Sequence, residues 1–493
     1  MKTRTLWRLA AVVLVALLIA ASSGPALAAL AVPDPGPTYG APPIGGEEDV
    51  ARFVDALQAQ GFKVQKSQEQ LGEGMVRLDV TCTCCAQGWQ WSCYDNNAGA
   101  PYKVAIVPQS PDQKYPSYTN FEFLLAPNEA LIIVGQTPPP MSYFSYQPFV
   151  LDRWSEKKQE LISPFGTLGD TVNNLTIRTS GPPGDPFNKD AIVVITSDRA
   201  VDARVTAAAR RAGYPASILN TLVVPRALTR LGFGEHADQF IVIQRLYRPA
   251  PGYEQAMEDY MNKAQVMLRV ALPVPPEQLD PYPVPKLRVR GTGQTELDLM
   301  PAVDDLREAI LNEYAGLEHQ ELTTGVWLTD GSDGLQREVP EYGPARDTVY
   351  LWTEQMFTLG PDDFVVVYGA NHEATGKATY SNAGVYVNKD AEDVDLLLGI
   401  VGQQSAQFKG TANDWLEGKP EADKADKLYV WKFARNCGND THCTTVTSDC
   451  ARVNLDLESN LWIGWRAYLE PSTKVGPAFT EIVYDQAIVF RGE

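Results

Sequence analysis

Four side chains able to transfer or hold protons follow one apolar run in the last third of the chain. The run ends at Gly369, and the loop after it carries His372, Glu373, Lys377 and Tyr380. An imidazole can act as a general base or bind a metal, and loops at strand ends commonly carry such groups. The spacing predicts a catalytic site at these four residues, with His372 as base or ligand. The alternative is a hydrogen-bonded loop histidine without a catalytic role.

The segment before Gly369 is similar to an earlier segment of the same chain. Residues 123–135 and 357–369 share Phe, Leu, Pro, an acid and Gly at an offset of 234, and Tyr143 and Tyr380 follow them. The first copy continues into a proline-rich connector that has no groups for chemistry. The similarity indicates either an internal duplication, with a ligand cleft between two lobes, or chance reuse of a common turn.

A second candidate motif is Gly169-Asp170-Thr171-Val172-Asn173. It resembles the nucleophile block of GDSL-type esterases, which would imply ester hydrolysis. Thr171 replaces the nucleophilic serine, however, and the later G-x-N-D and D-x-x-H blocks have only misspaced counterparts at 410–414 and 440–442. These departures argue against an esterase of that family, and we expect no nucleophile here.

The seven cysteines fall into two clusters, at 82–93 and at 437–450. Clustered cysteines in an exported chain favour disulfides, whereas a compact set of soft thiolates is also suited to zinc. The expected zinc pattern of two closely spaced ligand pairs is incomplete here, so disulfides are favoured. Because seven is odd, one thiol is left over or pairs with another chain. Whether a metal or other cofactor is bound stays open.

The N-terminal residues 1–28 are typical of a signal peptide. Lys2, Arg4 and Arg8 precede an apolar run, and Ala26-Leu27-Ala28 provides the small residues that a signal peptidase accepts. The run of 13 residues, Leu9–Ala21, is too short to span a bilayer comfortably. Residues 29–46 read as a Pro/Gly-rich lead-in. We therefore expect a secreted protein, extracellular or periplasmic, with no membrane contact after cleavage. The alternative is an uncleaved N-terminal anchor.

Composition and charge exclude several classes of partner. The chain has 493 residues and a net charge of −19, with 44% hydrophobic residues. This is ordinary globular usage. Nucleic acid and anionic lipid both require basic surfaces, so neither is an expected partner.

Hydrophobic periodicity indicates an α+β fold. It predicts helices at Glu47–Gln60 and Met300–Tyr314 and buried strands at Ala130–Val134 and Ala191–Thr196. Tyr143–Val150 is predicted as an edge strand or strand end because Pro148 cannot donate to a ladder. We expect a first α+β lobe at 47–215, a mixed α/β middle region at 216–345 and a second β-rich lobe at 346–493.

Two functions are compatible with these features. The first is an extracellular, hydrolase-like enzyme with its site in the loop after Gly369. The second is a non-catalytic extracellular binding or surface protein that uses an aromatic face to bind a glycan or another ligand. An enzyme should bring titratable groups together in a concave pocket, whereas a binding protein should show an exposed aromatic patch without that convergence.

Overall fold

A computed structural model describes residues 46–78, 97, 100–114, 121–328, 332–391, 394–447 and 457–492. The expected signal peptide, residues 29–45 of the lead-in, the first cysteine cluster and Cys450 lie outside the described residues. The described chain contains seven α-helices and four mostly antiparallel sheets, so the α+β class is confirmed. No helix in these ranges is long and apolar enough to cross a membrane.

The first half of the chain forms an outer and an inner sheet. The outer sheet has the order β1-β12-β4-β9-β10 and the inner sheet β2-β3-β11-β5-β6, with two short strands also paired to β5. The strands are β1 (Lys63–Lys66), β2 (Gly74–Leu78), β3 (Tyr102–Ile106), β4 (Glu129–Gln136), β5 (Met141–Ser155), β6 (Glu160–Ile162), β7 (Gly166–Thr167), β8 (Val172–Asn173), β9 (Asp190–Thr196), β10 (Leu219–Val223), β11 (Gln239–Pro249) and β12 (Val266–Ala271).

The second half also forms an outer and an inner sheet. Their orders are β13-β22-β16-β19-β20 and β14-β15-β21-β17-β18. The strands are β13 (His319–Leu322), β14 (Thr324–Leu328), β15 (Thr348–Thr353), β16 (Phe364–Ala370), β17 (Tyr380–Ala391), β18 (Val394–Gln404), β19 (Leu428–Ala434), β20 (Cys443–Thr445), β21 (Asn460–Tyr468) and β22 (Gln486–Phe490).

Helices cover the outward face of each outer sheet. In the first half, Val50 and Phe53 of the first helix pack against Ile132 of β4. In the second half, Leu306 and Ile310 pack against Val366 of β16. The helices are α1 (Glu47–Ala59), α2 (Arg199–Arg211), α3 (Glu254–Asn262), α4 (Met300–Glu313), α5 (Asp333–Arg337), α6 (Ser405–Phe408) and α7 (Asn413–Leu416). The periodicity therefore located α1 and α4 to within one residue.

The two inner sheets pack against each other through a cluster of four buried tyrosines. Tyr143 and Tyr247 are cross-strand neighbours in the first half, as are Tyr380 and Tyr468 in the second. Across the interface the ring centroids are 5.0 Å apart for Tyr143–Tyr468, 5.3 Å for Tyr247–Tyr380 and 4.6 Å for Tyr247–Tyr468. Contacts of this kind stabilise an interface beyond the area they bury.

The two halves have the same strand order. When β7 and β8 are left out and each half is numbered from its first strand, both outer sheets read 1-10-4-7-8 and both inner sheets 2-3-9-5-6. Gly135 and Gly369 are the penultimate residues of the equivalent strands β4 and β16, with φ of 157° and 158°. Two residues after these glycines, the N–H of Thr137 donates to the backbone carbonyl of Lys189, and the N–H of Asn371 donates to that of Lys427. Both distances are 2.8 Å.

The strands of residues 216–345 are divided between the two halves. β10, β11 and β12 pair within the first two sheets, and β13 and β14 pair within the other two. The crossing from one set of sheets to the other lies between Ala271 and His319. The two sheets of each half thus contain the strands that were expected in a separate middle region.

The edge position expected for residues 143–150 was wrong. β5 pairs with β11 along one side and with the short strands β7 and β8 along the other. Pro148 faces the gap between these short strands, whose partners are Tyr146 and Phe149. A proline without an N–H is therefore accommodated inside the sheet by interrupting one neighbour.

A disulfide joins Cys437 to Cys443, the first residue of β20. We expect both residues to be alkylated only after reduction, as mapped by mass spectrometry. Because the bridge closes a loop with a sequence separation of 6, chain entropy gives a cost of about 2 kcal/mol in unfolding free energy for Cys437→Ser. Alkylation of Cys437 in the unreduced native protein would contradict the bridge.

Candidate functional site

The loop between β16 and β17 does not bring its four polar side chains together. Thr375 N–H donates to the carbonyl of Asn371 at 3.0 Å and Ala378 N–H to that of His372 at 2.9 Å, which folds the loop into compact turns. Successive side chains consequently point into different surroundings. His372 and Lys377 are directed into buried ionic networks, Glu373 into a cleft and Tyr380 into the interface between the halves.

His372 is buried between two carboxylates. Its Nδ1 lies 2.9 Å from Oε2 of Glu296, and its Nε2 lies 3.3 Å from Oδ2 of Asp485. The side chain is only 3% exposed. Burial alone would lower the pKa of His372, but the carboxylates of Glu296 and then Asp485 raise it to about 10. His372 is therefore an imidazolium at neutral pH, with both nitrogens donating.

The two carboxylates around His372 are themselves anchored. Glu296 accepts the N–H of Val483 at 3.0 Å, and Asp485 accepts the hydroxyl of Tyr429 at 2.7 Å. Burial raises the pKa of Glu296, but His372 and its hydrogen bonds outweigh this and hold that pKa below its usual value. A protonated histidine that is held this way has no lone pair for general-base chemistry. The geometry does not support the base role inferred from the sequence.

Lys377 forms a second buried ionic network. Its Nζ lies 2.8 Å from Oε1 of Glu470 and 2.6 Å from Oε2 of Glu481. Burial would lower the pKa of Lys377, but these two carboxylates raise it. The ammonium is fully engaged, so it is no nucleophile. The ammonium borders a polar cavity of about 210 Å³, which is separate from the cleft that Glu373 lines.

Tyr380 belongs to the tyrosine cluster between the inner sheets. Burial raises its pKa to about 12, although a hydrogen bond with Asn97 opposes the shift. Its ring stacks on Tyr247 at 5.3 Å. A phenol in this position stabilises the interface. Its ring centroid lies 5.7 Å from the Arg248 guanidinium, so Tyr380 lies behind the ion pair and outside the lining of the cleft.

Glu373 forms an ion pair across the two halves of the chain. Its carboxylate accepts two hydrogen bonds from Arg248, at 2.6 and 2.8 Å, and one from the Ser405 hydroxyl at 2.6 Å. Arg248 also donates through Nε to the Ser142 hydroxyl at 2.7 Å. Burial raises the pKa of Glu373, but Arg248 and Ser405 outweigh it and lower that pKa. Glu373 is consequently ionised and a weak base.

This ion pair lies in a cleft of about 950 Å³ that both halves line. The first half contributes Met141, Ser142, Arg248, Pro249, Ala250, Pro251 and Glu254. The second half contributes Asn371, Glu373, Ala374, Gln404, Ser405, Ala406, Gln407 and Lys409. A volume of this size is typical of ligand-binding pockets.

The described lining is neutral overall and contains no aromatic ring. Arg248 and Lys409 carry two positive charges, and Glu254 and Glu373 carry two negative ones. Alanine, proline and methionine supply the apolar part of the wall. The cleft is therefore suited to an uncharged ligand with small apolar groups and hydrogen-bonding atoms.

Residues 169–173 lie at the interface between the two halves, against the carboxylate of Asp347. The Thr171 hydroxyl bonds to the carboxylate of Asp347, and Asn173 Nδ2 donates to both Asp347 oxygens at 3.1 Å. Tyr143 lies 2.9 Å from the same carboxylate. Burial raises the pKa of Asp347, and these hydrogen bonds oppose the rise. The Thr171 hydroxyl is therefore bound to a buried carboxylate at the interface between the halves.

Within the described ranges, no group of three or more His, Cys, Asp or Glu side chains is arranged to hold a metal ion. No protein-family model matches the sequence, and comparison with curated proteins finds no significant similarity. The geometry alone therefore carries the functional argument.

Sequence reasoning missed the partners that define each environment. Glu296 and Asp485 are 76 and 113 residues from His372, and Arg248 is 125 residues from Glu373. No local spacing links such distant residues. A usable signal was the contrast between the polar loop after Gly369 and the proline-rich connector after Gly135, because it marked where the two halves differ.

Replacing His372 should test its structural role. His372→Ala would leave Glu296 and Asp485 as buried carboxylates without their positive partner. Breaking a buried pair in this way costs about 3–5 kcal/mol. We expect a loss of this size in the free energy of unfolding, measured by urea denaturation at pH 7.

His236→Ala is the matched control, because that histidine pairs with Glu156 at an exposed site and should change stability by less than about 1 kcal/mol. A pH series adds an independent readout. Because the pKa of His372 is raised in the folded state, its contribution to the free energy of unfolding is complete below about pH 6.5. That contribution is lost as pH rises through about 10. The buried ion triad would be contradicted if His372→Ala lowered the free energy of unfolding by less than about 1 kcal/mol and this loss did not diminish as pH rises to about 10.

Proposed function

We propose that the chain is an exported, non-catalytic binding protein that holds its ligand in the cleft between the two halves. One observation carries the proposal: the cleft of about 950 Å³ has a continuous lining from both halves around the Arg248–Glu373 ion pair. Preformed concave sites between lobes are common positions for ligands.

The hydrolytic alternative has less support. A hydrolase needs a base that can accept a proton near neutral pH or an activated nucleophile. His372 is held as an imidazolium, and Lys377 is held by two carboxylates. Ser405 does donate to Glu373 at 2.6 Å, but Arg248 stabilises the charged form of that carboxylate and weakens it as a base.

Filling the cleft tests the binding proposal. Ala406 lines the cleft, and Ala406→Trp should obstruct it, whereas Ala422→Trp places the same side chain at an exposed site outside the lining. In a thermal-shift screen of small polar solutes and short oligosaccharides, a ligand should stabilise the wild-type protein and the control. At a concentration of 100 Kd the stabilisation is about 2.7 kcal/mol.

For a solute found in that screen, calorimetry should give a Kd at least about tenfold weaker for Ala406→Trp, a loss of about 1.4 kcal/mol. Equal affinity in the two tryptophan variants would place the ligand elsewhere. Turnover of an ester, glycoside or peptide substrate by the wild type would favour the enzyme instead.

We also propose that the protein is secreted through its N-terminal signal peptide. The basic start, the apolar run and Ala26-Leu27-Ala28 support cleavage before Ala29. The Cys437–Cys443 bridge supports an oxidising compartment. Intact mass of the exported protein should correspond to a chain that starts at Ala29, and retention of Met1 would contradict this.

An internal duplication is proposed as the origin of the two halves. The shared strand order and the equivalent Gly135 and Gly369 support it. So do the equivalent tyrosine pairs, Tyr143–Tyr247 and Tyr380–Tyr468. In an experimental structure the ten equivalent strands of the halves should superpose in register, and a register shift in the inner sheets would count against common origin.

A further inference from the structure

An extended segment of the chain itself runs along one side of the interface between the halves. Arg288 N–H donates to Oδ2 of Asp170 in the first half at 2.7 Å. Arg290 donates to the carbonyl oxygens of Thr348 and Pro477 in the second half, at 2.9 and 3.0 Å. This segment, residues 286–293, has no regular secondary structure and is called the connecting segment below.

Acidic side chains of the second half hold the end of the connecting segment. The N–H groups of Thr292 and Gly293 donate to the carboxylate of Glu481 at 2.9 and 2.6 Å. The Thr292 hydroxyl lies 3.4 Å from Glu470. The groove thus supplies carboxylate and carbonyl acceptors, and the segment supplies backbone N–H donors and the Arg290 guanidinium.

The ligand cleft is the counterpart of this groove on the other side of the interface. Tyr247 and Tyr468 are equivalent, and the residue after each has a positive φ, 51° at Arg248 and 58° at Leu469. The next residues are Pro249, which lines the cleft, and Glu470, which contacts the connecting segment. The position of Glu470 in the groove therefore corresponds to the position of Pro249 in the cleft, and the two sites are counterparts.

We infer that the cleft binds an extended, uncharged peptide segment of a partner protein. The inference rests on the proposed binding function and specifies its ligand. The counterpart groove already holds an extended stretch of polypeptide, so a cleft built from equivalent strand ends has the shape for one. The shared strand order and the equivalent tyrosine pairs place both sites at matching strand ends.

The lining of the cleft sets the chemistry of the peptide. Where the groove has Glu470, the cleft has Pro249, and the four charged groups of the lining cancel. Arginine side chains like those of the connecting segment would find no net negative site. Gln404 and Gln407 offer side-chain amides, which can pair with peptide N–H and C=O groups. Met141, Pro251 and Ala374 offer contacts for proline or small apolar side chains.

A sugar ligand is less compatible with these walls. Carbohydrate sites commonly stack a ring on an aromatic side chain, and none of the described lining residues is aromatic. A peptide needs only hydrogen bonds along its backbone and shallow apolar contacts, which the cleft provides.

The test is selection from a random octapeptide library displayed on phage, using the full exported chain as bait. Ala406→Trp serves for counter-selection and Ala422→Trp as the matched control. Enriched sequences should be uncharged and rich in proline and small apolar residues. A capped synthetic peptide of that sequence should bind the wild type and Ala422→Trp equally in fluorescence polarisation, and Ala406→Trp at least tenfold more weakly. Replacing two of its residues by arginine should weaken binding at least tenfold.

Each other outcome overturns the inference. If no peptide is enriched but a small solute binds and is lost in Ala406→Trp, the cleft takes another ligand class and the proposed function stands. If neither binds, both proposals fail. If the wild type self-associates in sedimentation experiments and Ala406→Trp does not, the occupant is a second copy of the chain. Enriched peptides that bind Ala406→Trp unchanged would place peptide binding elsewhere.

Discussion

The Asp347 carboxylate is the constraint on which the arrangement of the two halves depends. It belongs to the second half, is fully buried, and takes hydrogen bonds from Tyr143, Thr171 and Asn173 of the first half. A buried carboxylate without such donors is strongly destabilising. The neighbouring Arg346 adds an ion pair to Asp170 at 2.7 Å. Separation of the halves would expose the tyrosine cluster and leave these groups without partners, so the interface is part of the folded core.

A fixed interface makes the cleft a preformed site. Arg248 and Glu373 join the halves across it, and both are held by serine hydroxyls as well as by each other. Binding to a rigid site avoids the entropy cost of closing two mobile lobes. For the proposed binding function, a fixed cleft favours recognition by complementary walls over capture by hinge closure. It also explains why ionisable groups near the loop after Gly369 are paired, since an interface of this kind tolerates few unpaired charges.

Local patterns in the sequence located helices and strands but not the surroundings of individual side chains. The apolar spacing in α1 and the continuous apolar run of β4 depend on neighbours within one turn or one strand, so periodicity was sufficient. The offset between residues 123–135 and 357–369 likewise located the equivalent strands β4 and β16. Whether His372 is a base or a buried cation depends on Glu296 and Asp485, which reach it through tertiary packing alone. The Pro148 strand was misplaced for the same reason, because its interrupted neighbour lies elsewhere in the chain.

The difference between the two loops accounts for the asymmetry of the interface. Pro138 and His372 occupy equivalent positions after Gly135 and Gly369. A proline connector offers no charge to hold a passing segment, whereas His372 binds Glu296, which follows the connecting segment. One side is consequently closed by the chain's own polypeptide through an ionic network, and the other stays open with neutral walls. Two scaffolds with the same strand order thus provide different surfaces, because loop residues decide which side holds the connecting segment.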